Sequence, residues 1–453
     1  MKTLFKYLMI ICLLCFLDAC SSEKDIEKDT SDQFDKENEP PVLPNDIELP
    51  LKTIELTFKQ REIVNAGNYF AFNIFKEVSA LAKEPNTFFS PLSLNFALGM
   101  LINGATGETR MEMAEVLGMA DFTDNEINEY YQKMMQSLLI IDPQTDIGIA
   151  NSIRYKDGFP VKQPFIETNK DYFDAEVSKL NFSIHEASDV INAWCAEKTK
   201  DKIQQIVPKP IPDNIVMYLI NALYFKSKWM FQFDKENTKA DDFIKADNQL
   251  IRVNMMEQTA TLPYYADQHV QCVEIPYGYD ASKSEGSKTY AQSDETEITL
   301  SNDAFSMVAI LPADNMDIDR LIDYLDDDIW QNIIDNLHWD KVMLKLPRFK
   351  IEFEIPLNEP IKNVGMTRIF YGGLDKISDD GLFVSDILQK TFVEVNEEGV
   401  EAAAVTGISV ITMKPNTPAS PVQFYANRPF LYVIKEKSTG AILFIGRMDE
   451  PKE

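Results

Sequence analysis

Residues 393 to 413, V-E-V-N-E-E-G-V-E-A-A-A-V-T-G-I-S-V-I-T-M, constrain the fold more than any other part of the chain. They open as a strand, with Phe392, Val393 and Val395 apolar beside Glu394 and Asn396. The run Ala402-Ala403-Ala404-Val405-Thr406-Gly407 is too short for a helix and ends in residues that disfavour one. Read with period two, Val400, Ala402, Ala404, Thr406, Ile408, Val410 and Thr412 form an apolar or small face. The alternate set, headed by Glu401, mixes charge with small and apolar residues. Residues 414–421, K-P-N-T-P-A-S-P, then form a proline-rich, exposed connector. A strand-competent segment tethered to such a connector predicts two states, one exposed and one built into a sheet.

E-E-G-V-E-A-A-A-V-T-G, residues 397–407, resembles the hinge of the reactive-centre loop of serpins, the serine-protease-inhibitor superfamily. N-T-F-F-S-P-L-S-L (86–94), N-A-L-Y-F-K-S-K-W (221–229), V-N-M-M (253–256), N-R-P-F-L (427–431) and G-A-I-L-F-I-G-R-M (440–448) also resemble serpin segments, in serpin order. The resemblance implies an α+β serpin fold: one large domain with about eight to nine helices, three β-sheets and an exposed reactive-centre loop. The expected plan is a lipoprotein-type signal peptide at 1–19, a flexible acidic tether at 20–55 and a serpin domain at 56–453. Within that domain, 278–303 is an inserted polar loop and 397–423 the reactive-centre loop.

Lys2 and Lys6 followed by the apolar run 8–17 make a sorting signal too short for a stable membrane span. Leu17-Asp18-Ala19-Cys20 resembles a bacterial lipobox, departing from it at Asp18, where a small neutral residue is usual. Cys20 is the expected lipidation site; an ordinary secretory peptide is the alternative. The expected location is the outer membrane, on the cell surface or facing the periplasm, and otherwise extracellular. Residues 21–49 are rich in Glu, Asp, Lys, Ser and Pro and read as a tether. Two cysteines remain in the body, Cys195 and Cys272, and read as buried free thiols, a single disulfide being open. With only His185, His269 and His338, well separated, no metal site is supported and no cofactor expected. A net charge of −28 argues against nucleic acid as a partner.

Along the body the pattern predicts helices over 60–83, 94–103 and 189–206, with another beginning over 109–117. It predicts strands over 147–155, 214–225, 270–276, 305–312 and 343–353, and a strand into the hinge after 382–389. Ser90 and Ser93 bracket Pro91 and read as helix caps. The resemblance also places them in the shutter beneath the main sheet, with Asn221 and Gln389, the latter where serpins commonly carry histidine. Trp229 corresponds to the tryptophan of the breach, where the loop enters the sheet.

No G-x-S-x-G, Gly-rich phosphate loop or H-E-x-x-H is present, and the chain is not read as an enzyme. The resemblance implies an irreversible suicide inhibitor of serine, and by extension cysteine, endopeptidases, acting as a monomer. The rival reading is a non-inhibitory serpin-fold binding or surface adhesion protein. The hinge comprises Glu397, Glu398, Gly399, Val400, Glu401, Ala402, Ala403, Ala404, Val405 and Thr406. From Val400 to Gly407 it holds no proline and one charge, as an inserting strand requires. Counting from Gly399 as family loops are counted puts the reactive bond at Met413–Lys414, with Thr412 and Asn416 as alternatives. Met413 suits elastase-, subtilisin- or chymotrypsin-like targets.

Overall fold

The computed structural model describes residues 53–142, 145–280, 291–292, 296–297, 301–302, 304–400 and 420–453. The signal, Cys20, most of the tether and the loop residues from Glu401 to Ala419 lie outside the described residues.

One six-stranded sheet organises the molecule. Its order is β14 (Phe349–Pro356), β15 (Leu388–Asn396), β16 (Gly399–Val400), β4 (Met217–Lys228), β2 (Asp146–Lys156) and β3 (Glu176–Leu180). Alternation builds its edge: Phe349, Ile351, Phe353 and Ile355 of β14 are buried while Lys350, Glu352 and Glu354 face out. The other strands form a nine-stranded path, β1 (Thr87–Phe89), β19 (Ile442–Met448), β18 (Phe430–Glu436), β12 (Phe305–Pro312), β7 (Val270–Pro276), β6 (Leu250–Ala266), β13 (His338–Pro347) and β17 (Val422–Tyr425), with β5 (Lys239–Ile244) on β6. This path is two sheets joined by the long strand β6, which meets β7 only at Tyr264, Tyr265 and Ala266. The molecule is therefore α+β with three sheets. All eight residues of β12 are buried, as expected of a strand packed on both faces.

Among the described residues nine α-helices surround the sheets: α1 (Phe58–Leu81), α2 (Pro91–Ile102), α3 (Gly107–Val116), α4 (Asp124–Leu138), α5 (Gln163–Phe173), α6 (His185–Lys198), α7 (Ile318–Tyr324), α8 (Asp327–Asn336) and α9 (Asn358–Asn363). Helix α1 starts at a capping box in which Thr57 and Gln60 satisfy each other's backbone N–H groups. Helix α2 (P-L-S-L-N-F-A-L-G-M-L-I) is apolar nearly all round and is buried along almost its whole length. Helix α6 has its own small core, with Ile191, Trp194 and Cys195 against Ile220 and Ala222 of β4.

The structure corrects several sequence expectations. The helix expected over 189–206 is α6, ending at Lys198; Lys200 and Asp201 then take left-handed backbone conformations, with φ of 50° and 63°. The strand expected over 343–353 is two strands in different sheets, β13 and β14, with Arg348 at the corner. Within the segment expected as an inserted loop, β8 (Tyr279–Asp280) pairs with β11 (Ser301–Asn302), and β9 (Ala291–Gln292) with β10 (Thr296–Glu297).

Candidate functional site: the junction of β15, β16 and β4

Strand β15 ends in a tight turn that sends the chain back into the sheet. Asn396 Oδ1 accepts the Glu398 N–H at 3.0 Å, and Gly399 follows with φ +142°. Gly399 then lies opposite Lys228, and Val400 opposite both Ser227 of β4 and Val395 of β15. A Cβ on Gly399 would stand 2.2 Å from the Ser227 carbonyl oxygen and 2.6 Å from the Lys228 Cα. Only glycine fits there, on both space and dihedral. Strands β15 and β4 are each antiparallel to β16, hence parallel to each other, and among the described residues they share no ladder of their own. Gly399 and Val400 thus form a short strand of the sheet between β15 and β4.

The turn is held from both sides. Trp229, fully buried, donates from Nε1 to the Asn396 carbonyl at 2.9 Å, and its backbone N–H donates to the Glu398 carbonyl. Its ring stacks on Tyr277 at 4.5 Å and 11°. The Phe233 N–H donates to the Glu397 carbonyl. The two glutamates point into a polar cleft of about 480 Å³ lined by Lys235, Thr238, Asn254 and Arg348. Lys235 Nζ sits 2.6 Å from Glu398 Oε1, while Thr238 donates to Glu397 at 2.7 Å and Arg348 lies 3.8 Å from its other oxygen. Both carboxylates are buried, so these partners offset a large desolvation cost.

Below the junction, Gln389 clasps the backbone of Ser90. Its Oε1 accepts the Ser90 N–H and its Nε2 donates to the Ser90 carbonyl, each at 2.8 Å. Ser90 Oγ donates to the Leu443 carbonyl and accepts the Ser93 N–H, so it caps α2 and ties that helix to β19 at once. Thr391 Oγ1 donates to the Phe88 carbonyl. Ser90, Ser93 and Gln389 thus come together, whereas Asn221 lies apart, donating to Asn151 Oδ1 across the β2–β4 ladder at 2.8 Å. Asn151 passes the chain of bonds on to the Phe173 carbonyl.

Of the expected hinge, Glu397, Glu398, Gly399 and Val400 form the turn and β16; Glu401, Ala402, Ala403, Ala404, Val405 and Thr406 lie outside the described residues. So do Thr412, Met413, Lys414 and Asn416 of the reactive bond. Sequence reasoning missed Arg348, Lys235, Thr238 and Tyr277. The adjacent pair Glu397-Glu398 before a glycine was the available signal, since two neighbouring carboxylates entering a sheet need cations. Cys195 and Cys272 are both free and buried; burial pushes the Cys195 thiol up to about 12 and the Cys272 thiol well above its ordinary value. Among the described residues no cluster of His, Cys, Asp and Glu could hold a metal.

Residues 65–451 match the family described as Serpin (serine protease inhibitor). Iripin-2 of Ixodes ricinus is 30% identical over 411 residues, covering 88% of this chain and 97% of its own. The crystal structure of a thermophilic serpin, tengpin, in its native state superposes with a TM-score of 0.74 at 30% identity, covering 87% of this chain and 95% of tengpin. A thyroxine-binding globulin complex with thyroxine shares the fold at 24% identity, with a TM-score of 0.73, covering 87% of this chain and all of that one. The chain belongs to the serpin family. Serpins are in general protease inhibitors, not enzymes.

Proposed function

We propose that this serpin is an irreversible suicide inhibitor of serine endopeptidases, and by the same chemistry of cysteine endopeptidases. The observation that carries the reading is the start of a strand between β15 and β4, where Gly399 and Val400 pair with both. The target's nucleophile attacks the carbonyl of the reactive bond, here assigned to Met413–Lys414, and the Lys414 amine departs. The acyl-enzyme stays attached to Met413. Once the backbone is severed, the hinge continues the β16 register downward, gaining ladder bonds to both neighbours. The attached protease is carried along and its oxyanion hole distorted before water can release it. From 399 to 413 the strand spans about 45 Å, enough to travel the length of the sheet. Methionine at the cleaved position favours elastase-, subtilisin- or chymotrypsin-like partners.

The test is incubation with elastase and subtilisin followed by denaturing electrophoresis. A band at the summed mass, resistant to SDS, is expected. Cleavage without that band across a protease panel would instead favour a non-inhibitory binding or adhesion role. The lipobox-like Cys20 further supports anchoring to the outer membrane of a bacterium through an N-terminal lipid, with the acidic tether holding the inhibitor away from the bilayer. Replacing Cys20 by Ser should shift the protein from membrane to soluble fractions; unchanged fractionation excludes the anchor.

A further inference from the structure

A cavity of about 580 Å³ lies apart from the hinge and shares no lining residue with the polar cleft there. Its volume is that of an ordinary small-molecule site. The first turns of α4, the length of α5, the residues that follow α2 and the connector at 375–376 enclose it. Backbone bonds fasten that connector in place. The Thr106 N–H donates to the Gly373 carbonyl at 2.8 Å, the Lys162 N–H to the Ile377 carbonyl at 2.8 Å and the Lys376 N–H to the Gly104 carbonyl at 3.1 Å.

Several polar groups that line the cavity have bonding capacity left over. Lys162 Nζ donates to the Asp375 carbonyl at 2.7 Å and to Asp379 at 2.6 Å, and Lys376 Nζ donates to Asp124 at 3.0 Å. An ammonium carries three N–H groups, so both lysines keep a donor. Arg110 takes the other oxygen of Asp124. Asp375 accepts the Thr106 hydroxyl on Oδ2 at 2.7 Å, while its Oδ1 has no hydrogen bond among the described residues. Asn128, 3% exposed, exchanges one pair of amide bonds with Asn103, at 2.9 and 3.0 Å. Its Nδ2 holds a second N–H with no partner among the described residues, which is rare for so buried a donor. On α5, buried Phe165 and half-buried Tyr172 add an aromatic wall.

The geometry points to a binding site for a small zwitterion with an aromatic side chain, an α-amino acid or a dipeptide. The lysines receive its carboxylate through charge-assisted bonds, and the free oxygen of Asp375 receives its ammonium. The ring packs against Phe165 and Tyr172, and the spare N–H of Asn128 completes the donors facing the ligand. The lining carries two ammonium and two carboxylate groups. An anion alone, or a cation alone, would be attracted by one pair and repelled by the other. A ligand bearing both charges meets both pairs. The site uses no residue of the hinge and holds whether or not the loop inserts.

The experiment is isothermal titration of the full chain with phenylalanine and with the dipeptide of two phenylalanines. The controls, 3-phenylpropionate and 2-phenylethylamine, each carry one of the two charges. Expected is one zwitterion bound per chain, at least about tenfold tighter than either control, as one lost charged hydrogen bond implies. Whichever of the two zwitterions binds more tightly identifies the ligand size. Lys376→Met should weaken binding about tenfold at an unchanged urea midpoint, the lysine being 48% exposed. Thr168→Trp, which fills the cavity from half-buried Thr168, should abolish binding. No heat from either zwitterion at millimolar concentration overturns the site. Equal affinity for phenylalanine and 3-phenylpropionate overturns the zwitterion, and binding unchanged in both variants overturns the location.

Discussion

At the residue scale, Gln389 shows how one side chain can serve where the family commonly uses histidine. An amide presents a donor and an acceptor at fixed spacing, which matches the N–H and C=O of a single residue, here Ser90. Gln389→Leu would leave the Ser90 N–H buried without a partner, although its carbonyl keeps the Leu94 N–H. The loss should be about 2 kcal/mol, read as a lower urea midpoint at unchanged m-value. Stability unmoved by that change would mean that the clasp contributes nothing net. A second residue, Asp327 at the start of α8, carries a charge it is better without. Burial first, then Asp328 and Asp326, push its carboxyl up to about 6. Its unfolded value is near 3.9. The folded protein thus binds the extra proton between about pH 4 and pH 6, and stability falls as pH rises through that window. Asp327→Asn should stabilise the protein at pH 7 by roughly 1 kcal/mol, discounted because the group is partly exposed. The gain should vanish near pH 4; a gain independent of pH would assign it to packing instead.

At the element scale, the decisive piece is the two-residue strand β16. Read with period two, Val400, Ala402 and Ala404 fall in one set of the sequence, the small set that the proposed insertion would bury. Ala404→Glu would place a charge in that set. It should turn the inhibitor into a substrate, with cleavage retained and the SDS-resistant band lost. Retained trapping would show that insertion does not proceed past that rung. The family was legible in the sequence because a run of small residues with a period-two pattern, 400–412, is one that few other constraints produce, and it stands with signature segments in order. The strands β7 and β12 were legible for a related reason, being apolar runs bounded by prolines. The division at Arg348 left only a one-residue slip in an otherwise unbroken alternation: Leu344 and Leu346 are buried before it, and Phe349 and Ile351 after it. Helix α6 also ended earlier than its pattern. The apolar residues beyond Lys198, among them Ile203 and Val207, pack into the same small core from an irregular connector, so periodicity alone could not tell the two apart. The cations around Glu397 and Glu398 come from Lys235 and Arg348, distant in sequence, and no local pattern announces such a pairing.

At the scale of the whole molecule, the proposed insertion requires a native fold that has not reached its lowest free energy. At Gly399 and Val400 the chain pairs with β15 on one side and with β4 on the other, and on that proposal a strand continuing β16 would satisfy both edges at once. An insertion of about eight residues forms on the order of a dozen ladder bonds, each worth about 1 kcal/mol net, before any burial of its small face. For a domain of this size the unfolding entropy is about 0.8 kcal/mol/K, taking roughly 2.1 cal/mol/K per residue. A stabilisation of roughly 10 kcal/mol should therefore raise the melting temperature by at least about 10 °C. The nicked protein should melt that much above the intact one in a calorimetric scan at the same rate, with its two fragments still associated. On that proposal the intact chain is held back by its two flanks, Glu397–Glu398 fixed by Trp229 and Lys235, and β17 paired beside β13. The proposed barrier is then one of connectivity, so that cleaving one peptide bond decides which state is reached. Coincident melting curves would mean that no such store of free energy exists, and the proposed trapping of proteases would have nothing to drive it.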